Sequence, residues 1–207
     1  TNTYTGVTTI NAGTISVGTI GNGGVAGNLG QATNASTNIV LGGGTLKYTG
    51  STATSDRAFT ITAGTTGTID VPTGVTLTLA GATGTTTTGA LTKTNSGTLN
   101  LSGINTYTGT TTISAGTLAI TGSGSLNSGS YAGSIVDNAT FIYSSSATQT
   151  LSGVISGTGA LTKDTDTSSV LTLSNTNTYT GVTTINAGTI SVGTIGNGLR
   201  SEEHTSE

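Results

Sequence analysis

Residues 89–118 read GALTKTNSGTLNLSGINTYTGTTTISAGTL. Within this stretch Leu99 and Leu101 flank Asn100, and Leu118 and the following Ile120 flank Ala119. Apolar residues at period two, separated by small residues, predict strands with one buried side. The same alternation returns at Ile15 and Val17, at Val75, Leu77 and Leu79, and at Leu171 and Leu173. Breaks at Ala12-Gly13, Ala115-Gly116 and Ala187-Gly188 punctuate the strands, because glycine admits sharp turns. No helical stripe of about 11 residues or more is present.

The stretch is one copy of a repeat. Residues 1–23 recur without change at 176–198, and a diverged copy begins at Asn105. The segment from Gly89 to Gly109 is matched by the segment from Gly159 to Gly181. Gly89 maps onto Gly159 and Asn105 onto Asn177, and the second offset is the longer by two. A small insertion near Asp164–Ser168 accounts for the difference. Short strands at a repeat period leave a β-sandwich array or a β-solenoid. A sandwich core about 10 Å thick needs bulky anchors, and Phe59 and Phe141 are the only phenylalanines. The expected fold is therefore an all-β solenoid of about nine coils of ~24 residues. At ~4.8 Å per coil it forms a rod of roughly 40–45 Å. The super-repeat divides into about three such coils. The wider offset between Asn2 and Asn105 is no multiple of that period and requires coil length to vary.

Composition agrees with stacking. Thr, Gly and Ser fill 109 of the 207 positions, and charged residues only 6%. Identical residues in register form ladders in which repeated charges would repel. Threonine suits the pleat and stays soluble without charge. The chain has no Cys, Met or Trp, which excludes disulfide scaffolds, zinc ribbons, haem attachment and thiol catalysis. A net charge of −3 provides no basic stripe, so nucleic acid is not expected as a partner. No apolar run reaches the roughly 20 residues of a membrane-spanning helix.

The residues Arg200 to Glu207 stand apart. All three Glu and the single His204 lie there. Their sequence, RSEEHTSE, resembles the translation of a common short-read sequencing adapter. Two units are therefore expected: residues 1–199, a stack of repeats cut at both ends, and residues 200–207, a non-native disordered tail.

The unit at 89–118 resembles the passenger-associated repeat of bacterial autotransporters. Lys93, Gly97, Leu99, Leu101, Asn105, Tyr107, Gly109 and Gly116 fall on its signature positions. The later copy matches at Lys163, Leu171, Leu173, Asn177, Tyr179, Gly181 and Gly188, and departs at Ser169. The stretches 38–60 and 130–163 also look like autotransporter passenger sequence. The resemblance implies a right-handed parallel β-helix on the surface of a Gram-negative bacterium. An outer-membrane β-barrel would anchor the full-length protein, and the repeats would assist its export and folding. The implied role is that of a structural or adhesive stalk in type V secretion, with host-surface or cell–cell contacts. Two alternatives stand beside it: a secreted two-partner adhesin without its own barrel, and a Thr-rich ice-binding or enzymatic solenoid.

No catalytic, cofactor or metal residues are expected, nor a small-molecule substrate. Asp164 and Asp166 lack a partner base, and Asp56-Arg57 suits a loop salt bridge. Serine catalysis fails for want of a His outside the tail. The recurrent Tyr4, Tyr107 and Tyr179 are read as packed corners with bonded hydroxyls. Asn2, Asn105 and Asn177 are read as turn residues bonding their own backbone. Lys93 and Lys163 are read as solvated edge charges that discourage strand pairing. Ice binding would require a regular Thr grid on one face.

Overall fold

A computed structural model describes residues 1–84, 86–165 and 167–193. The chain forms a parallel β-solenoid, and every pairing between its named strands is parallel. It visits three sides in turn. The first side is a seven-stranded sheet running from Thr14–Val17 through Thr45–Tyr48, Thr66–Asp70, Ala90–Thr94, Thr111–Ile113 and Ile135–Asp137 to Ile155–Ser156. The second side, also of seven strands, runs from Ala53–Ser55 to Thr183–Ile185. The third side is broken into sheets of three, two and four strands.

The period-two pattern becomes an internal ladder. On the second side Leu77, Leu99, Leu118, Phe141 and Leu161 stack in register, each no more than 1% exposed. Leu79, Leu101, Ile120 and Tyr143 stack beside them. Leu171 and Leu173 do the same on the third side, over Gln149 and Leu151. Each such apolar side chain removed from water contributes about 1.5–3 kcal/mol.

The two continuous sheets of seven strands give about seven full turns where the sequence suggested nine. The first described turn is long. Thr14 pairs with Thr45, whereas Thr98 pairs with the much nearer Thr117. The surplus lies in residues 18–38. Buried Arg57 pins this excursion by donating to the carbonyls of Gly21 (2.9 Å), Gly30 (2.9 Å) and Ala32 (3.2 Å). Asp56 accepts the Gly23 N–H at 2.8 Å. The adjacent Asp56-Arg57 residues thus bond the excursion rather than each other. The expected boundary at residue 199, the tail at 200–207 and Asp166 lie outside the described residues.

The super-repeat takes slightly more than three turns. From Thr111 the first side is re-entered at Ile135 and Ile155, and Thr178 then donates to the Ile155 carbonyl. The equivalent strand Thr183–Ile185 follows on the second side. The super-repeat from Thr111 to Thr183 therefore spans three and a third turns.

The expected glycine corners take left-handed backbone: φ is +70° at Gly13, +71° at Gly116 and +78° at Gly188. A Cβ on Gly116 would also strike the carbonyl oxygen of Gly97 in the turn below. Gly116→Val is therefore expected to destabilise the solenoid by about 1–3 kcal/mol. A thermal melt followed by circular dichroism should show a lower midpoint, and Gly13→Val, whose Cβ meets open space, should lose less.

Candidate functional site

The lateral surface and its corners carry the residues that the sequence singled out. Tyr107 is buried and sets its ring edge-on to Tyr131 at 5.8 Å between centroids. Its hydroxyl lies 3.0 Å from Thr111 Oγ1. The same pairing over four residues joins Tyr4 to Thr8 (2.8 Å) and Tyr179 to Thr183 (2.6 Å). Tyr131 also reaches Thr111 Oγ1 at 2.8 Å and donates to the Gly109 carbonyl. Burial pushes the Tyr107 and Tyr131 hydroxyls well above the usual phenol range. Tyr4 is 43% exposed and Tyr179 is partly buried against the core. The motif is the same in all three copies.

Asn105 lies in strand Ile104–Asn105, not at a left-handed position. The non-glycine residues with positive φ, among those described, are Asn95, Asn127, Ser128 and Thr165. Asn105 Nδ2 donates to the carbonyls of Gly103 (2.9 Å) and Ser125 (3.2 Å), tying two turns together. Asn177 Nδ2 donates to the Asn175 carbonyl, and its Oδ1 accepts the Ile155 N–H at 2.8 Å. Asn2 Nδ2 donates to the Asn28 carbonyl.

The lysines are not solvated edge charges. Lys93 and Lys163 are both 0% exposed. Lys93 follows Leu91 at period two and so points inward, between Ile69 and Ile113 in one ladder. Its ammonium donates to the carbonyls of Thr94 (2.8 Å), Asn95 (2.7 Å) and Ala115 (3.3 Å), closing the corner between the first two sides. Desolvation lowers its pKa to about 8, with Asp70 opposing. Lys163 stacks on Tyr143 in the ladder of the second side, its ammonium 5.8 Å from the ring centroid. The alternation rule alone places both inward. The assumption that charge must face water misassigns them.

Other buried polar groups carry less sequence signal. Gln149 exchanges both bonds of a strand pair with Leu126: Oε1 accepts its N–H (2.8 Å) and Nε2 donates to its carbonyl (3.1 Å). Asp137 accepts the Ala139 N–H at 3.0 Å, and burial raises its pKa. Its place in the inward ladder of the first side, over Ile113, follows from period two.

Outward threonines line up. Thr14, Thr45, Thr68, Thr92 and Thr112 form one unbroken column on the first side. The next column contains Ser16, Lys47, Asp70 and Thr94. On the second side Thr76, Thr98, Thr117 and Thr140 align, beside Thr78, Asn100, Ala119 and Ile142. These are single hydroxyl columns with mixed neighbours, not a two-dimensional grid. Among the described residues no group of three or more His, Cys, Asp or Glu is placed to hold a metal ion.

Comparison with known proteins bears on the repeated stretches of the chain. The family model of the passenger-associated-transport-repeat matches residues 1–17, 91–120 and 168–192. The chain is also 49% identical over 116 residues to the adhesin BmaC autotransporter of Brucella suis biovar 1 (strain 1330). That alignment covers 55% of this chain and 3% of the relative. No solved structure matches the chain significantly. Three stretches of the chain thus match the passenger-associated-transport-repeat, and the chain spans only a small part of the length of the relative it resembles.

Two measurements test the corner chemistry. Tyr107→Ala should cost about 3–5 kcal/mol, as expected for a buried aromatic. Tyr4→Ala, in the same motif but exposed, should cost far less; equal losses in chemical denaturation would contradict the described burial. For Lys93 the unfolded chain holds its proton up to about 10.5 and the folded one only to about 8. Stability should therefore rise with pH across that window. A wild type that gains no stability relative to Lys93→Gln between pH 8 and 10 would contradict this burial.

Proposed function

We propose that this chain is a stalk segment of a surface-exposed passenger in a type V secretion autotransporter, with a structural or adhesive role. The observation that carries the proposal is the match of the repeat to two stacked turns of the solenoid. Residues 91–120, one of the family matches, supply the strand pairs Leu91–Lys93 with Thr111–Ile113 and Thr98–Leu101 with Thr117–Ile120. A stack of this kind can grow by the addition of turns one at a time, which suits folding after passage through an outer membrane. The similarity to an adhesin supports an adhesive rather than an enzymatic role. Contacts would be many and weak, spread along the lateral surface, and would gain strength by multivalency.

The finer parts of this reading are an anchoring outer-membrane β-barrel elsewhere in the full-length protein, and host-surface or cell–cell contacts made outside the cell. The residues Arg200–Glu207 are proposed to be adapter-derived and no part of the passenger. Long-read sequencing of the source DNA across these codons tests that point.

Display tests the reading as a whole. Residues 1–199, placed between a signal peptide and an autotransporter barrel in a Gram-negative host, should reach the cell surface. They should react with antibody on intact cells and resist external protease as a folded rod. Retention in the periplasm, or rapid degradation at the surface, would count against the proposal.

A further inference from the structure

The two fuller copies of the repeat are alike inside and differ in where they sit. In the first, Leu91, Thr92 and Lys93 pair with Thr111, Thr112 and Ile113 on the first side. Thr98–Leu101 then pairs with residues 117–120 on the second side. In the later copy, Leu161, Thr162 and Lys163 pair with Thr183, Thr184 and Ile185, but on the second side. Val170–Leu173 pairs with Thr189–Val192 on the third. The corner contact is also kept. A Cβ on Gly109 would strike the Gly89 carbonyl oxygen, and a Cβ on Gly181 that of Gly159. The Tyr–Thr hydroxyl pair recurs in both.

The partial copy at the N-terminus extends the series. Its strand Thr8–Ile10 lies on the third side and Thr14–Val17 on the first. The three equivalent strands, Thr8–Ile10, Thr111–Ile113 and Thr183–Ile185, therefore occupy the third, first and second sides in succession. Both steps advance by one side, although the first covers a longer stretch of chain than the second.

We infer that the repeat is a self-contained two-turn cassette, and that successive cassettes step one side around the rod. The repeated outer surface then follows a screw path. Thr92 and Thr112 face out from the first side, whereas their equivalents Thr162 and Thr184 face out from the second. The same orientation returns only at every third cassette. A partner that engages the repeated surface at consecutive cassettes must curl around the rod. A straight filament or flat lattice meets it on one side at one cassette in three. This consequence for partners rests on the adhesive reading above; the cassette geometry does not.

Disulfide trapping tests the geometry, because the chain has no native Cys. Neighbouring turns lie ~4.8 Å apart, within the ~4.4–6.8 Å between Cα atoms that a disulfide bridges. Three double variants are compared in the full chain after mild oxidation. Thr92→Cys with Thr112→Cys tests pairing inside one cassette. Ile142→Cys with Thr162→Cys tests the later cassette on the second side, where these residues are register partners. Val136→Cys with Thr162→Cys tests the alternative in which both cassettes share the first side. The first two pairs should link in most molecules and the third in only a small minority. Linkage of Val136 with Thr162 in place of Ile142 with Thr162 overturns the inference. So does linkage of the first pair alone. A failure to bind any host surface leaves this readout unchanged, so the geometry and the adhesive reading fail separately.

Discussion

Parallel in-register stacking is the constraint from which the rest follows. Each strand sits directly on its predecessor, so every side chain faces a neighbour at the same height on the ladder. Inside, like on like is favourable: Leu on Leu on Phe excludes water without a thick core. Outside, the same rule penalises charge, because a repeated charge meets itself one turn away. The low charge content and the threonine columns are two faces of this condition. Where charge does enter the ladder, as at Lys93 and Asp137, it is met by backbone groups of a corner.

Corners are where the fold becomes specific. A strand of three to five residues can slide by two without changing its buried pattern, so alternation alone does not fix the register. The register is held by groups that fit only one way. Gly109 stacks on Gly89 so closely that no side chain fits between them. Lys93 gathers three carbonyls, and Gln149 copies a missing strand bond. Asn105 links two turns. These interactions are polar and buried, and a partner left unmet costs about 1–3 kcal/mol.

Much of this is legible in the sequence. Period two at Leu99 and Leu101 gives the strands, and the recurrence of the same words gives the stack. What escapes has other physical origins. Lys93 follows the alternation of its own strand, and position outweighs charge there because three corner carbonyls receive the ammonium. One of them belongs to Ala115, in the next turn. The number of turns escapes because residues 18–38 look like any other Gly- and Asn-rich stretch. Nothing local announces that Arg57 will pin them from the next turn. The one-side step of the repeat is also hidden, since the super-repeat divides as readily into three turns as into three and a third.

The third side has a bearing on how such a rod carries load. Its strands are interrupted between Thr60–Ile61 and Ile104–Asn105, and there the chain is joined across by the bridge of Thr87 with Tyr107, by the Thr83 and Thr108 N–H bonds to the Ile104 and Thr87 carbonyls, and by the hydroxyls of Thr83, Thr106 and Thr108. Hydrogen bonds between turns run along the axis, so a pull on the two ends loads the interfaces in series. In a series the interface with the fewest bonds parts first. A rod built this way can part at one interface and keep the turns on either side of it folded.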